Sequence, residues 1–196
     1  MSRQATIERK TKETGIELSL DLDGTESSAE TGVGFFDHML DLLARHANVG
    51  LKVKAVGDLE TGSHHTVEDV GIVLGQAIDQ ALGDRYGIRR YGSAVVPMDE
   101  ACAECALDIS GRALSVFRGE IPVTSIANYE TELTEEFFRA VAGGARMTLH
   151  IDIRYGSNVH HMIEAAFKAF ARALRVAVSI DPDEKGVPST KGTLNG

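Results

Sequence analysis

The stretch His64-His65-Thr66-Val67-Glu68 decides how this chain is organised, because the pattern returns 96 residues later as His160-His161-Met162-Ile163-Glu164. An apolar run with helical periodicity follows each histidine pair. At about 100° per residue, the glutamate lies roughly 40° from the first histidine and roughly 60° from the second. The three side chains therefore share one arc at the start of a helix. Two imidazoles and a carboxylate in this arrangement are typical metal ligands.

The competing interpretation of one such triplet is a polar, solvated first turn of a helix. Two triplets contain four of the seven histidines in the chain, which favours metal binding.

The repeat extends beyond the histidine pairs. Segment 17–24 alternates apolar and polar residues and ends at a glycine, and segment 104–111 repeats this pattern. Such alternation predicts half-buried strands that end in turns. In this register Glu13 corresponds to Glu100.

Each predicted strand pair is followed by similar elements. Amphipathic helices are expected from Gly34 to about residue 47 and from Glu136 onward, with strands at 49–56 and 147–155. The predicted order in each half is strand, strand, helix, strand, helix.

Two halves of this kind, 1–92 and 93–196, predict an α+β fold built by internal duplication. Each half contains a βαβ unit and is too small to bury its own apolar faces. We therefore expect two sheets, each covered by helices on one face, in one continuous globular unit. The C-terminal tail from Asp181 contains two prolines and three glycines and is expected to be extended.

The composition excludes several functional classes. The chain has 196 residues, 43% of them hydrophobic, and a net charge of −9. This charge argues against nucleic-acid binding, which requires a basic surface. No apolar run approaches the roughly 20 residues that span a membrane, and no targeting signal is visible at the beginning of the chain. A cytoplasmic location is the expectation.

The two cysteines, Cys102 and Cys105, have the spacing of a redox or zinc motif. They lie within a predicted strand at 101–109, where side chains three residues apart point to opposite faces. We therefore expect buried, unreactive thiols.

Two further histidines extend the metal-ligand set. His38 lies on the first predicted helix and His150 in a strand, and neither has a counterpart in the other repeat. With the two triplets they make eight potential ligands, four for each of two ions. The candidates are His38, His64, His65, Glu68, His150, His160, His161 and Glu164. A hexacoordinate ion such as Mn²⁺ would keep two positions open for substrate, although zinc, Fe²⁺ or Ni²⁺ would also accept these ligands.

Pseudo-symmetry suggests one partition of these ligands. One ion would be bound by His38, His65 and Glu68 with a histidine of the second repeat. The other would be bound by His150, His161 and Glu164 with His64. Completion within one chain and completion across a subunit interface both stay open.

Cations near the second triplet point to an anionic substrate. His160, Glu164 and Lys168 form one line along a helix, so Lys168 could bind a substrate anion or pair with Glu164. His46, at the end of the first helix, could stabilise that terminus or transfer protons. Further donors suited to phosphate are Arg90, Arg112, Ser189, Thr190 and Lys191. Glu13 lies in a probable turn between strands, where a carboxylate is usually solvated.

Residues 36–40, 62–69 and 158–169 together resemble the signature stretches of the imidazoleglycerol-phosphate dehydratase family. The resemblance runs from residue 9 to residue 192, with no appended phosphatase domain. It implies a hydro-lyase of L-histidine biosynthesis that converts D-erythro-imidazole glycerol phosphate to imidazole acetol phosphate. It also implies two Mn²⁺ ions per subunit that bind the imidazolate ring of the substrate.

The resemblance carries structural and residue-level expectations too. It implies a duplicated fold similar to the second domain of ribosomal protein S5, and a homo-oligomer of 24 chains built from trimers. It implies that Glu13 acts on the substrate as an acid or base. The residues expected around the substrate phosphate are Arg90, Arg112, Lys168, Ser189 and Lys191. The alternatives are a dinuclear metallohydrolase and a metal-storage or structural assembly.

Overall fold

A computed structural model describes residues 2–194, which form two four-stranded sheets, a small hairpin and four α-helices. The first half contains β1 (Gln4–Lys10), β2 (Thr14–Asp21), β3 (Ser27–Glu30), α1 (Gly34–Ala47), β4 (Gly50–Gly57), a 3₁₀ turn (Leu59–Thr61) and α2 (His64–Leu82). The second half contains β5 (Tyr91–Met98), β6 (Ala101–Asp108), β7 (Leu114–Arg118), β8 (Ser125–Ile126), β9 (Tyr129–Glu130), α3 (Leu133–Ala145), β10 (Thr148–Tyr155) and α4 (Val159–Val178).

The two large sheets have the same topology. Their strand orders are β1-β2-β4-β3 and β5-β6-β10-β7, and the last pair of each sheet is parallel while the others are antiparallel. A mixed α+β fold with a duplicated topology therefore agrees with the sequence interpretation.

The predicted element order missed a third strand before the first helix of each half. Strand β3 has the sequence Ser-Ser-Ala-Glu and lies at a sheet edge with little of its surface buried, so it lacks the apolar alternation that marks a strand. Strand β7 is also an edge strand and is only half-buried. The β8–β9 hairpin was likewise not predicted.

The helices lie between the two sheets, and they pair across the two halves. Helix α2 packs on β1 and β2, and α4 packs on β5 and β6. Helix α1 packs against α4, whereas α2 packs against α3. The apolar residues of each sheet that point toward the helices are buried in one continuous core. Each half thus buries its helices against the other half.

Glycines permit the closest of these helix contacts. A Cβ atom at Gly75 of α2 would lie 2.5 Å from the carbonyl oxygen of Val141, and one at Gly144 of α3 would lie 2.5 Å from that of Ile72. The two backbones therefore touch directly, and no larger residue fits at either position without moving the helices apart.

Both cysteines are buried, as expected. They lie on β6, and burial raises the pKa of the Cys105 thiol, which keeps it protonated and unreactive. None of the helices in residues 2–194 combines the length and the apolar character needed to cross a membrane.

Candidate metal and anion sites

Three predicted ligands converge where α1 meets the first turn of α4. His160 Nε2 lies 3.0 Å from Glu164 Oε2, and His38 Nε2 lies 3.7 Å from the same oxygen. Within residues 2–194, these form the one group of three metal-binding side chains whose ligand atoms all lie within 4.8 Å of one another. Two imidazole nitrogens and a carboxylate in this arrangement fit a divalent transition-metal ion.

Glu164 is buried and ionised. Its side chain is 7% exposed, and its Oε1 lies 2.6 Å from Lys168 Nζ. Burial opposes ionisation of this carboxyl, but hydrogen bonds with Lys168 and His160 outweigh that effect and lower its pKa. Lys168 therefore pairs with Glu164, which was one of the two roles that the sequence left open for it.

The start of α4 is fixed by a cap that orients both histidines. Asn158 accepts hydrogen bonds from the backbone N–H groups of His160 (3.0 Å) and His161 (3.4 Å). The ring of Phe35 contacts that of His160 edge-on at 5.0 Å between centroids. Asn158 was missed as a site residue, although an Asn directly before a helical run is a recognised capping signal.

The second histidine of each pair is held by a carboxylate. Glu100, in the β5–β6 turn, accepts from His161 Nδ1 at 2.7 Å and from the backbone N–H groups of Ser157 and Asn158. The hydrogen bond with His161, followed by these backbone bonds, lowers the pKa of Glu100 to about 2, and Glu100 in turn raises the pKa of His161.

In the first half, Asp58 is the carboxylate that holds the second histidine, His65. His65 Nδ1 lies 3.0 Å from Asp58 Oδ2, and this hydrogen bond raises the pKa of His65. The position equivalent to Glu100 is Glu13, whose carboxylate makes no hydrogen bond or ion pair within residues 2–194. Glu13 is nevertheless nearby, because its carbonyl oxygen accepts from the backbone N–H of Asp58 at 3.1 Å. No sequence pattern distinguished Asp58 as an orienting residue.

The remaining predicted ligands of the first triplet form a looser arrangement. His64 Nε2 lies 3.7 Å from Glu68 Oε2, and the two side chains are 55% and 44% exposed. The helix itself is firmly placed, because the buried Asp69 accepts from Thr14 Oγ1 at 2.5 Å and from Arg9 Nε at 3.1 Å. The open side of this turn faces solvent.

His150 is not near the other candidate ligands. It lies on the exposed face of β10, beside Val116 and Asp152, whereas α4 packs on the opposite face of the sheet. The strand continues five residues from His150 to Tyr155 before α4 begins, a distance of about 16 Å at the usual rise per residue.

These positions differ from the ligand partition suggested by pseudo-symmetry. His38 groups with His160 and Glu164 across the α1–α4 contact, instead of with His65 and Glu68. His150 and His161 do not meet within the chain. Within the chain, His38 meets the second triplet because α1 packs on the last helix of the other half. The suggested partition stays a prediction for sites completed across a subunit interface.

The predicted phosphate-binding residues gather in a separate pocket of about 360 Å³. Its lining residues are Arg90, Ser110, Arg112, Ser189, Thr190, Lys191, Thr193 and Leu194. The tail turns there, because the backbone N–H of Lys191 donates to Ser189 Oγ at 3.2 Å. Lys168 is not part of this lining.

Arg90 has two partners already. Its Nε and Nη2 bind the two carboxylate oxygens of Asp108 at 2.7 and 3.1 Å, and its Nη1 donates to the carbonyl oxygen of Pro188 at 2.8 Å. Arg90 thus holds the tail beside the pocket, while the exposed Arg112 and Lys191 supply positive charge to its opening.

His46 lies two turns beyond His38 on α1, about 12 Å along the helix axis. Burial, followed by the positive charges of Lys168 and Arg172, lowers its pKa, so the ring is neutral near pH 7. The helix places it beside the cations of α4 and apart from the three converging ligands.

Known proteins match nearly the whole of this chain in sequence. The profile of the family described as "Imidazoleglycerol-phosphate dehydratase" matches residues 31–174. Relatives of that name from Rhodopseudomonas palustris (strain TIE-1) and Acetivibrio thermocellus are 56% and 60% identical, over 99% of this chain and 100% of each relative.

Solved structures agree with the sequence relatives. The crystal structure of imidazoleglycerol-phosphate dehydratase from Staphylococcus aureus subsp. aureus N315 superposes with a TM-score of 0.83 at 41% identity, covering 91% of this chain and 99% of that one. The structure of IGPD from Pyrococcus furiosus in complex with (S)-C348 gives a TM-score of 0.83 at 35% identity, covering 95% and 99%. With the fold, the motifs and the full-length similarity in agreement, the chain belongs to the imidazoleglycerol-phosphate dehydratase family, a family of hydro-lyases.

Proposed function

We propose that this protein dehydrates D-erythro-imidazole glycerol phosphate to imidazole acetol phosphate in L-histidine biosynthesis, as a cytoplasmic homo-oligomer with two Mn²⁺ ions per subunit. The observation that carries this proposal is the convergence of His38, His160 and Glu164 in a chain of this family. When bound, the ions would act as Lewis acids that stabilise negative charge on the imidazole ring.

The ligand sets follow from the positions of the side chains. His38, His160 and Glu164 would hold one ion, and Lys168 keeps Glu164 ionised before the ion arrives. His65, Glu68, His150 and His161 do not converge within one chain, and His64 lies on an open turn. We therefore propose that neighbouring subunits complete the sites, which agrees with a homo-oligomer and with the 24 chains expected from the resemblance.

The pocket of about 360 Å³ would bind the substrate phosphate. Arg112 and Lys191 supply charge, and Ser189 and Thr190 supply hydroxyl groups that can donate to phosphate oxygens. Anchoring the phosphate fixes the glycerol chain, so that the carbon atoms that lose hydroxide and a proton are held in one orientation.

Glu13 is the group to which we assign proton transfer. Its carboxylate is exposed and has no hydrogen-bonding partner in the described part of the chain, unlike its counterpart Glu100. It would accept the C–H proton and pass this proton to the neighbouring hydroxyl, which leaves as water; the resulting enol would become the ketone as its O–H proton moves to carbon. His46, two turns from the ligands, receives no step in this scheme.

An assay with the full-length, metal-stripped protein tests the proposal. Imidazole glycerol phosphate would be added with and without Mn²⁺, and formation of the ketone would be followed. We expect turnover only with the metal, retained by Glu120→Gln, an exposed carboxylate elsewhere, and lost with Glu164→Gln. No turnover from folded, Mn²⁺-loaded protein would refute the dehydratase and favour a dinuclear metallohydrolase. Metal binding with every coordination position filled by protein would favour storage.

A further inference from the structure

Arg85 is a buried arginine outside the metal and phosphate sites. It lies in the connector between α2 and β5, and its side chain is 2% exposed. Its Nη2 pairs with Asp79 at 2.5 Å, and its Nη1 donates to the carbonyl oxygen of Leu194. Its Nε has no hydrogen-bonding partner in residues 2–194. Burying a charged guanidinium costs desolvation free energy, which the contacts with Asp79 and Leu194 must offset.

The acceptor of Arg85 belongs to the tail that lines the phosphate pocket. Leu194 is buried and contributes to the lining, three residues after Lys191. Just before residues 189–191, which also line the pocket, Arg90 donates to the carbonyl oxygen of Pro188. The segment 189–191 is thus fixed at both ends by arginines that lie in the same connector.

We infer that Arg85 is a positioning residue for anion binding: it fixes the tail at Leu194 so that 189–191 is ordered before the anion arrives. Chain ends are usually mobile unless they are tied down, and ordering side chains on binding reduces affinity. This inference rests on the proposed function in that the pocket takes the substrate phosphate.

Arg146 provides a matched control, because it binds the same carboxylate from another direction. Its Nε and Nη2 lie 3.1 and 3.0 Å from the Asp79 oxygens, it is partly exposed, and it does not line the pocket. Arg146→Met therefore removes one of the two arginine partners of Asp79, as Arg85→Met does, while the contact between Arg85 and Leu194 stays intact.

The experiment compares Arg85→Met and Arg146→Met in the full-length, Mn²⁺-loaded protein by three measurements. These are the affinity for inorganic phosphate by calorimetry, the rate of tryptic cleavage after Lys191, and kcat and KM with imidazole glycerol phosphate. For Arg85→Met we expect about tenfold weaker phosphate binding, about tenfold higher KM and faster cleavage, with kcat within about twofold. Arg146→Met should stay within about twofold throughout.

A truncation after Thr193 removes the acceptor together with the buried Leu194 side chain but leaves Arg85 in place, so it tests the inference even if Arg85→Met misfolds. The truncated protein should show the same losses as Arg85→Met, and adding Arg85→Met to it should change phosphate affinity no further. Unchanged phosphate affinity and cleavage in either variant would overturn the inference. Phosphate binding and cleavage do not require turnover, so a wild type without dehydratase activity would refute the proposed function and still leave the role of Arg85 measurable.

Discussion

The two His-His turns have nearly the same sequence but different surroundings. At the start of α4, Glu164 is 7% exposed and contacts His38, His160 and Lys168. At the start of α2, Glu68 is 44% exposed and its one ion-pair partner in residues 2–194 is His64. The α4 turn is preassembled, whereas the α2 turn is open to another molecule.

Two substitutions between the repeats explain this difference. The position equivalent to Lys168 is Ile72, which removes the cation that keeps the glutamate ionised. Aligning the Phe-Phe pairs of α1 and α3 places Ala140 at the position of His38, where it packs close to Gly71. One motif therefore gives a closed site or an open one, depending on the helix from the other half that faces it.

The largest effect should come from Glu13, whose carboxylate has no hydrogen-bonding partner in residues 2–194, unlike that of Glu100. We expect Glu13→Gln to lower kcat by about 10²–10⁴-fold, the usual contribution of a general base, with both Mn²⁺ ions retained. Steady-state kinetics and metal analysis would measure this. Its counterpart variant, Glu100→Gln, removes the partner of His161 and should instead weaken Mn²⁺ binding. A Glu13→Gln protein with unchanged kcat would remove Glu13 from the mechanism.

The closed turn should be more sensitive to loss of its carboxylate than the open turn. In metal-free protein, Glu164→Gln leaves Lys168 mostly buried without its counter-charge, so we expect about 3 kcal/mol lower free energy of unfolding. For the exposed Glu68→Gln we expect a change below about 0.5 kcal/mol. Urea denaturation at one fixed protein concentration would measure both.

A second substitution checks the cause of that loss. Lys168→Met, added to Glu164→Gln, should recover part of the stability because no unpaired charge remains. Equal losses for Glu164→Gln and Glu68→Gln would contradict the distinction between the two turns.

His38 should matter for metal affinity because it reaches the α4 turn from another helix. We expect His38→Asn to weaken Mn²⁺ binding by at least about tenfold, since even residues that only hydrogen-bond to metal ligands often contribute that much. Titration of metal-stripped protein followed by calorimetry would show it. His46→Asn, on the same helix, should leave the affinity unchanged; an equal effect from both variants would argue that α1 acts only as a scaffold.

The smallest effect concerns the cations along α4, which α2 lacks. Arg172→Met should raise the pKa of His46 toward its ordinary value of 6.5, because Arg172 is one of the positive charges that lower it; Arg175→Met should not, because Arg175 is not among them. Histidine ring signals followed by NMR across pH 5–8 would report both. Identical titrations of His46 in the two variants would contradict this assignment.

The sign of the pH effect follows from the lowered pKa of His46. The unfolded chain binds a proton at a higher pH than the folded protein does, so the contribution of His46 to stability is complete above about pH 6.5 and is lost as the pH falls through the lowered value. Arg172→Met should reduce this acid sensitivity.

Much of the site could be predicted because its signals are local. Helix periodicity and residue spacing placed each histidine pair on the first turn of α2 or α4. The grouping of arginines and tail residues in one pocket was expected only from the family resemblance. The pairing of His38 with Glu164 could not be predicted, because it depends on which helices of the two halves pack together. Asp58 was missed because nothing local separates an orienting carboxylate from a solvated one.

The crossed pairing of helices also sets an order for folding during synthesis. Helix α1 packs against α4 and α2 against α3, so the helix faces that pack on the other half have no partner when the first half leaves the ribosome. About 96 further residues separate the end of α2 from the end of α4, which at usual translation rates takes roughly 5–20 s. During that interval the face of α1 that packs on α4 stays exposed. A nascent chain of this protein should therefore require chaperone protection until its last helix is made.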